Sequence, residues 1–374
     1  MAMAYYEHRM HRGVAAYARE ANWILNTNMA HYGAPPRFWK GQGTVALVLP
    51  DRKELIAYLR KLDVPIVGLT NDVKGVATAR VVLDNFAIGR IAGEHLIERG
   101  FKDLAFFKCT DYQDVREREA GFAAAVEEAG LDYIRLNWYG AARKNPRANL
   151  LRWLKKQLLA LPTPVGVFAQ SDHRAYFLLT VCEESQIRVP EEMAVVGVDN
   201  DEYTCEFAPV PITSVDSNRE ELAYQAARML DSLMNGDTPP DAPLRIPPLG
   251  LVVRHSSDIL ALEHPEVAKA LGFIWKHFPQ RIGVEDVVAA TAMSRCGLYQ
   301  HFEAMVGRTI REEIERKRLE LARQLLTTTT DKVAHIARCC GFSSGEQFCR
   351  AFARKTGITP SVYRSEQATT RPGV

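Results

Sequence analysis

The strongest constraint in this chain is a repeat near its C-terminus. In GFSSGEQFCRAFARKTGITPSVYR, Gly341 to Arg364, Gly341 and Phe342 make a turn, and Phe348 and Phe352, four apart, form the buried seam of a helix. Glu346, Gln347 and Arg350 fall away from that seam, and side chains of these types reach base edges in a major groove. Upstream, VEDVVAATAMSRCGLYQHFEAMVGRTI, Val284 to Ile310, carries the same pattern. Leu298, Phe302 and Gly307 match Phe348, Phe352 and Gly357 at an offset of 50, and Met293 matches Phe342 at 49. This is an internal duplication of a helix-turn-helix.

Between the copies, Ile310 to Leu326 reads as a capped amphipathic helix with apolar Ile314, Leu319, Ala322, Leu325 and Leu326. Such a helix holds two motifs at a fixed separation, and two reading helices on one rigid chain address successive turns of a DNA face, about 34 Å apart. Charge agrees with that. From Pro265 to Val374 there are 17 Lys and Arg against 11 Asp and Glu, whereas the remainder has 30 against 34. A basic module attached to a mildly acidic one suits a protein in which one end meets phosphate. The outward positions expected to meet DNA are Arg295, Tyr299 and Gln300 in the first copy and Glu346, Gln347 and Arg350 in the second. Arg354 and Lys355 are expected to meet phosphates.

The 374 residues suffice for two or three domains, and a composition 47% hydrophobic and 25% charged is ordinary for a soluble protein. None of the seven cysteines stands in a CxxC spacing. Cys339 and Cys340 are adjacent in a helix and point about 100° apart, a poor chelate. No run of about 18 apolar residues and no basic-then-apolar N-terminus occurs. A cytoplasmic protein with reduced cysteines, no metal and no membrane is expected. Neither a Gly-rich phosphate loop, a GxSxG elbow nor a metal-spaced His/Cys set is found, so an enzyme is disfavoured; a sugar-active enzyme or a transport-type binding protein on the same scaffold are the alternatives.

Residues 1–258 read as α/β, with strand candidates at Trp23–Asn26, Thr44–Leu49, Pro65–Leu69, Ala79–Leu83, Leu104–Lys108, Tyr133–Trp138, Val165–Ala169, Met193–Val198 and Ile212–Val215. Helical patterns alternate with them: Met1–Glu20, Lys53–Leu62, Ile88–Glu98, Arg116–Ala129, Leu150–Leu161, Arg174–Gln186 and Arg219–Asn235. Parallel sheets covered by helices follow. Asn235 to Pro248 is read as a Pro-rich turn and GLVVRHSSD as a closing strand. A linker at 259–264, a helical domain at 265–365 and a frayed tail at 366–374 complete the division.

RKRLELARQLL, VAHIARCCGF and FCRAFARKTGITPSVYR together resemble the signature of AraC/XylS-type transcription regulators over roughly the last hundred residues. Four phrases of the α/β part, VVLDNFAIGRIAGEHLIERGFKDLAFF at 81–107, REREAGFAAAVEEAGL at 116–131, VFAQSDHRA at 167–175 and IRVPEEMAVVGVDNDEYTCEFAPVPITSV at 187–215, resemble the effector-binding core of LacI/GalR-type repressors. That resemblance implies a two-lobed periplasmic-binding-protein-like domain with a ligand cleft, followed by an all-α domain with two helix-turn-helix motifs. A LacI-type sensor ahead of an AraC-type reader is similar to the bacterial xylose-operon regulators, and DVPIVG at 63–68 with DNFAIGR at 84–90 fits. The chain is expected to lack the family's first strand and cleft loop, with translation beginning upstream of Met1.

The resemblance implies a sugar-responsive regulator, an activator of pentose catabolic genes. Its expected effector is D-xylose or another small sugar, with no cofactor. Expected partners are operator half-sites in double-stranded DNA, a second copy of the chain and RNA polymerase. Arg118 matches the arginine that reaches the ligand in LacI-type cores and Asp199, ending AVVGV, the ligand-binding acid. Asp172 stands at a strand end, where ligand contact and a helix cap explain it equally. Trp138 is the candidate platform for a sugar ring. Asp84 and Asn85 are read as caps of the helix beginning at Ile88. Leu49 falls where a polar sugar contact would be convenient.

Overall fold

The computed structural model describes residues 1–29, 34, 39–71, 73–138, 146–259, 264–329 and 331–369. They divide into two compact units, Met1–Asp258 and Ile259–Val374. Most of the expected linker, 260–263, lies outside the described residues.

The first unit holds two sheets. One runs in the order β1 (Ala2–Met3), β2 (Thr44–Leu47), β3 (Ile66–Gly68), β4 (Ala79–Leu83), β10 (Leu244–Ile246), all parallel. The other runs β11 (Gly250–Val252), β9 (Thr213–Asp216), β8 (Met193–Val198), β7 (Val165–Ala169), β5 (Asp103–Lys108), β6 (Tyr133–Asn137), with only β11 antiparallel. VGVFA and MAVVGV are buried along their whole length, as parallel strands covered on both faces require. Around the sheets lie α1 (His8–Glu20), α2 (Lys53–Leu59), α3 (Asn85–Glu98), α4 (Gln113–Glu128), α5 (Pro146–Leu158), α6 (Asp172–Glu184), α7 (Glu202–Glu206) and α8 (Arg219–Met234).

Three crossings join the lobes. After β4 the chain enters α3, which packs on β7, β8 and β9; after β9 it enters α8, which packs on β2, β3 and β4; and β10 passes directly to β11. At the first crossing α3 and α4 approach backbone to backbone. A Cβ at Gly89 would stand 1.9 Å from the carbonyl oxygen of Arg118, and one at Gly121 1.9 Å from that of Phe86.

Several expectations are corrected. Met1–Glu20 is not helical from its start: Ala2–Met3 supply a short first strand on β2, and Tyr5 follows it to the cavity described below. Trp23–Asn26 is no strand: the Trp23 amide donates to Ala18 O at the end of α1, and its indole donates to Asp231 of α8. The Pro-rich turn contains β10, which forms a ladder with β4 and then passes to β11 as the third crossing. Helix α3 begins at Asn85 with Asp84 as its cap, so Asn85 is released for another partner. Helix α6 begins at Asp172, capped by Ser171.

In the second unit, α9 (Pro265–His277), α10 (Val284–Ala289) and α11 (Arg295–Val306) form the first half, α13 (Val333–Cys339), α14 (Gly345–Thr356) and α15 (Pro360–Thr369) the second. The chain expected to fray from residue 366 continues as α15 to Thr369, and 370–374 lie outside the described residues. Between the halves runs α12 (Ile310–Thr328), started by a Thr309–Glu312 capping box. Ile310 and Ile314 belong to the first-half core with Leu298 and Phe302, whereas Leu319, Ala322 and Leu326 belong to the second with Phe348 and Phe352. The duplication is visible in the caps. Ser294 and Ser344 open α11 and α14, and Gly307 and Gly357, at φ +71° and +80°, close them.

Candidate functional site

A cavity opens in the first unit where the C-terminal ends of β2, β3 and β4 face the first turns of α4 and α8. It is lined by Leu47, Leu49, Leu69, Thr70 and Asn85, by Asp114, Glu117, Arg118 and Arg219, and by Tyr5. Crevices outside strand ends, at crossings between lobes, are where α/β folds bind small ligands.

Arg118 and Arg219 of its lining belong to a buried cluster of charge. Asp199 ends β8 with φ +111°, a backbone that L-residues rarely adopt, and its amide donates to Val215 O at 2.9 Å. Its Oδ2 lies 2.6 Å from Arg219 Nη2, and its Oδ1 accepts from Ser217 Oγ at 3.2 Å and lies 3.8 Å from Arg118 Nη2. Arg118 is held from behind: Nε donates to Asn85 Oδ1 at 2.8 Å and Nη1 to Gln170 O at 2.6 Å. Arg9, entering from α1, donates to the Asp199 carbonyl and lies 3.8 Å from Asp216 Oδ1. Burial works against the charge of Arg219, but Asp199 above all, then Tyr5 and Glu7, hold its pKa above the ordinary guanidinium value. Its buried Nε has no acceptor among the described residues. A donor left over inside a cavity is available to a ligand oxygen.

The expected pair Arg118 and Asp199 is thus brought together. Asp172 is not at the cavity. It is 2% exposed, accepting from the Asp201 amide at 2.8 Å and from Ser214 Oγ at 2.6 Å, so it anchors the loop that carries Asp199. Burial, then the charge of Asp199, pushes its carboxyl up to about 7. Trp138 is no ring platform: it packs in the second-lobe core with its ring 5.3 Å from that of Trp153. Arg219, Asn85, Arg9, Tyr5, Asp114 and Glu117 escaped the sequence reading. Arg219 had a signal, because a cation at the first position of a helix opposes the macrodipole and needs another reason to be there.

In the second unit the two duplicated helices turn polar faces outward. Arg295, Gln300, Glu346, Gln347, Arg350, Arg354 and Lys355 are all exposed, while Tyr299 is half-buried against the first-half core. Arg295 lies 2.7 Å from Glu285 and over the Tyr299 ring, and Arg350 lies 3.1 Å from Glu346. Exposed pairs of this kind are weak in water and rearrange readily for a new partner. Gln347 is partly committed: its Oε1 accepts from Ser343 Oγ at 2.6 Å at the start of α14. Arg354, expected at phosphate, is 2.5 Å from Glu315 of α12, another exposed pair. Behind the first half, buried Glu313 accepts from Trp275 Nε1 at 2.5 Å and from Arg308 and Arg316. Burial works to raise that carboxyl, but Arg316, then Arg308 and Trp275, outweigh it and hold it below the usual range.

A two-lobed domain with a charged cavity at its crossings, carried on the same chain as two outward-facing helix-turn-helix motifs, defines a ligand-binding transcription regulator. Comparison with known families agrees: residues 94–257 match the periplasmic binding protein-like domain and 287–366 a helix-turn-helix domain. The Xylose operon regulatory protein of Escherichia coli strain K12 is 33% identical over 341 residues, 87% of this chain and 84% of that protein. That of Haemophilus influenzae is 32% identical over 76% of this chain and 74% of that one. The solved structure of a xylose-binding transcription activator superposes with a TM-score of 0.66 at 29% identity, covering 97% of each chain. A cellobiose complex of the transcriptional regulator CelR follows at 0.54 and 27%, covering 67% of this chain and 78% of that one. This chain belongs to the xylose operon regulatory protein family.

Proposed function

We propose that this chain is a D-xylose-responsive transcription activator of pentose catabolic genes, acting in the cytoplasm as a homodimer on paired operator half-sites and contacting RNA polymerase. The observation that carries the sugar assignment is the Asp199 cluster. Arg118 and Arg219 bring two positive charges to the cavity wall, where Asp199 backs both of them, Asp114 adds a negative charge, and Glu117 is paired with Arg245 at 3.0 Å. Such a balance suits an uncharged ligand rich in hydroxyls better than an acid or an amine, because neither sign is left uncompensated. The Arg219 Nε donates to one sugar oxygen, and Arg118, backed by Asp199, to a neighbouring one. Asp114 accepts from a hydroxyl at the rim, and apolar Leu47, Leu49 and Leu69 face the ring. The names of the relatives favour xylose among small sugars.

The Arg245–Glu117 pair joins β10 of one lobe to α4 of the other. Sugar adds further contacts to both lobes at once, so it favours their closed arrangement. Closure changes how two copies pair and hence where their reading helices stand. Sugar and operator then strengthen each other by the same factor.

The test is a thermal-shift titration of the full chain with D-xylose, L-arabinose, D-ribose and D-glucose. At 100 times the dissociation constant, D-xylose adds about 2.7 kcal/mol to the folded state. Arg118→Ala abolishes that shift and keeps basal DNA affinity. A chain that none of the four sugars stabilises, or an Arg118→Ala variant with undiminished sugar binding, refutes the assignment of this cavity.

A further inference from the structure

In the central helix of the DNA-binding unit, Arg318 joins the two halves through partners that lie in neither reading helix. Arg318 stands on α12 where that helix passes from the first-half core, to which Ile314 belongs, to the second, to which Leu319 belongs. Its Nε donates to Phe278 O at 2.9 Å, and its Nη2 to Gln280 O at 2.9 Å and Ile282 O at 3.3 Å. All three acceptors belong to the loop that joins α9 to α10 in the first half. Its guanidinium carbon lies 6.0 Å from the ring of Phe342, in the turn of the second half. Gly341 of that turn presses on the same loop. A Cβ there would stand 2.6 Å from Phe278 O, 2.9 Å from Pro279 O and 3.0 Å from Arg318 Nε.

The turn of the second motif and the first loop of the first motif therefore touch backbone to backbone, with Arg318 pinning the contact. The choice of side chain follows from the acceptors. Three carbonyls spread over residues 278–282 need donors held apart in a plane, and the guanidinium fork has them, whereas an ammonium is a single point. Burial works against the charge of Arg318, so its place there rests on those bonds. Helix α12 carries both cores along one axis, so the angle between the halves about that axis depends on how each core seats on the helix. A contact away from that axis holds the angle.

We propose that Arg318, clamped with the Gly341–Phe342 turn on the 278–282 loop, sets the angle between the two reading helices and so selects the spacing of the two DNA segments that one chain reads. Arg318 is a positioning residue in this reading and touches no DNA. Two motifs held rigidly gain from their effective concentration on a duplex whose segments match their separation, and a swivelling pair loses part of that gain.

The experiment uses the full chain and duplexes selected by it from a randomised pool. Each selected duplex is then tested whole, cut to either segment alone, and with one to five base pairs inserted between the segments. With Arg318→Met, which keeps an unbranched apolar stem, affinity for the whole duplex falls about tenfold or more while affinity for either single segment stays within about twofold. The insertion profile flattens, and the slope of affinity against salt is unchanged because no phosphate contact is lost. Arg318→Lys behaves like Arg318→Met. Three results overturn the proposal: single-segment affinity falling in step with the whole, which makes Arg318 a support of folding alone; an insertion profile identical to the parent's; or full rescue by lysine, which makes charge rather than the fork the operative property.

Discussion

Substituting Gly89 by alanine tests whether the sugar site is held by a helix crossing. The added methyl would stand 1.9 Å from Arg118 O, 2.8 Å from Arg118 C and 2.9 Å from Phe122 N, and all three are backbone atoms that no rotamer change moves aside. Ordinary contact begins at 3.4 Å, so α3 and α4 must part by about 1.5 Å at this point. Arg118 then moves off Asn85 Oδ1 and Gln170 O, now 2.8 and 2.6 Å away, and bonds lengthened by that amount are broken. Overpacking costs about 1–3 kcal/mol and lost bonds to a buried charged group about 1.5–3 kcal/mol, offset by about 0.5–1 kcal/mol from removing a glycine from a helix. The net loss is roughly 2–5 kcal/mol, and if the proposed site is correct D-xylose affinity falls with it, by about tenfold or more, because the donor assigned to the ligand has moved. Urea unfolding followed by calorimetric titration of the full chain measures both. Gly121→Ala, whose methyl would meet Phe86 O at 1.9 Å, gives the same result from the other helix. Gly272→Ala, in α9 with nothing within 4 Å, is the control and is neutral or slightly stabilising. If Gly89→Ala keeps parental stability and parental sugar affinity, the crossing does not position Arg118 and the reasoning fails.

Other perturbations follow from the same geometry. Asp199→Ala leaves Arg219 and Arg118 buried without their carboxylate and lowers stability by about 3–5 kcal/mol in urea unfolding; a loss below 1 kcal/mol would mean that the arginines are hydrated in place. Asp172 titrates near 7 when folded against 3.8 unfolded, so the folded chain binds the extra proton in that window and stability falls as pH rises through it. Comparing the parent with Asp172→Asn, the parent loses about 2–3 kcal/mol relative to the variant between pH 5 and pH 8, and a difference independent of pH contradicts the assignment. Arg350→Ala relaxes preference at one base pair, each bidentate contact being worth about 1–3 kcal/mol, as read by selection from random duplexes; a uniform loss across sequences would make Arg350 a phosphate contact instead.

Local pattern carried most of the architecture. The strands Val165–Ala169 and Met193–Val198 stand where their apolar runs place them, because a strand buried on both faces has no polar position to blur its ends. The duplicated reader was legible for a related reason: a serine cap, an aromatic seam four apart and a glycine in left-handed backbone are each dictated within one helix. Where an element depends on a distant partner, the reading failed. Residues 244–246 look like the end of a turn until β4 gives them a ladder, and Trp23–Asn26 looks like a strand until Asp231 takes the indole.

The same division runs through the sites. Order of elements, the two kinds of domain and the polar outward face of each duplicated helix are properties of short stretches, and the chain alone determined them. Which side chains meet was decided only in three dimensions. Arg219 follows Asp199 by 20 residues and Asn85 precedes Arg118 by 33, yet one cluster contains all four; Trp138, strand-terminal and aromatic, went to the core instead. Periodicity records which face of an element is apolar, whereas the identity of the partner across a crossing depends on how whole elements pack, and no window of sequence contains that information.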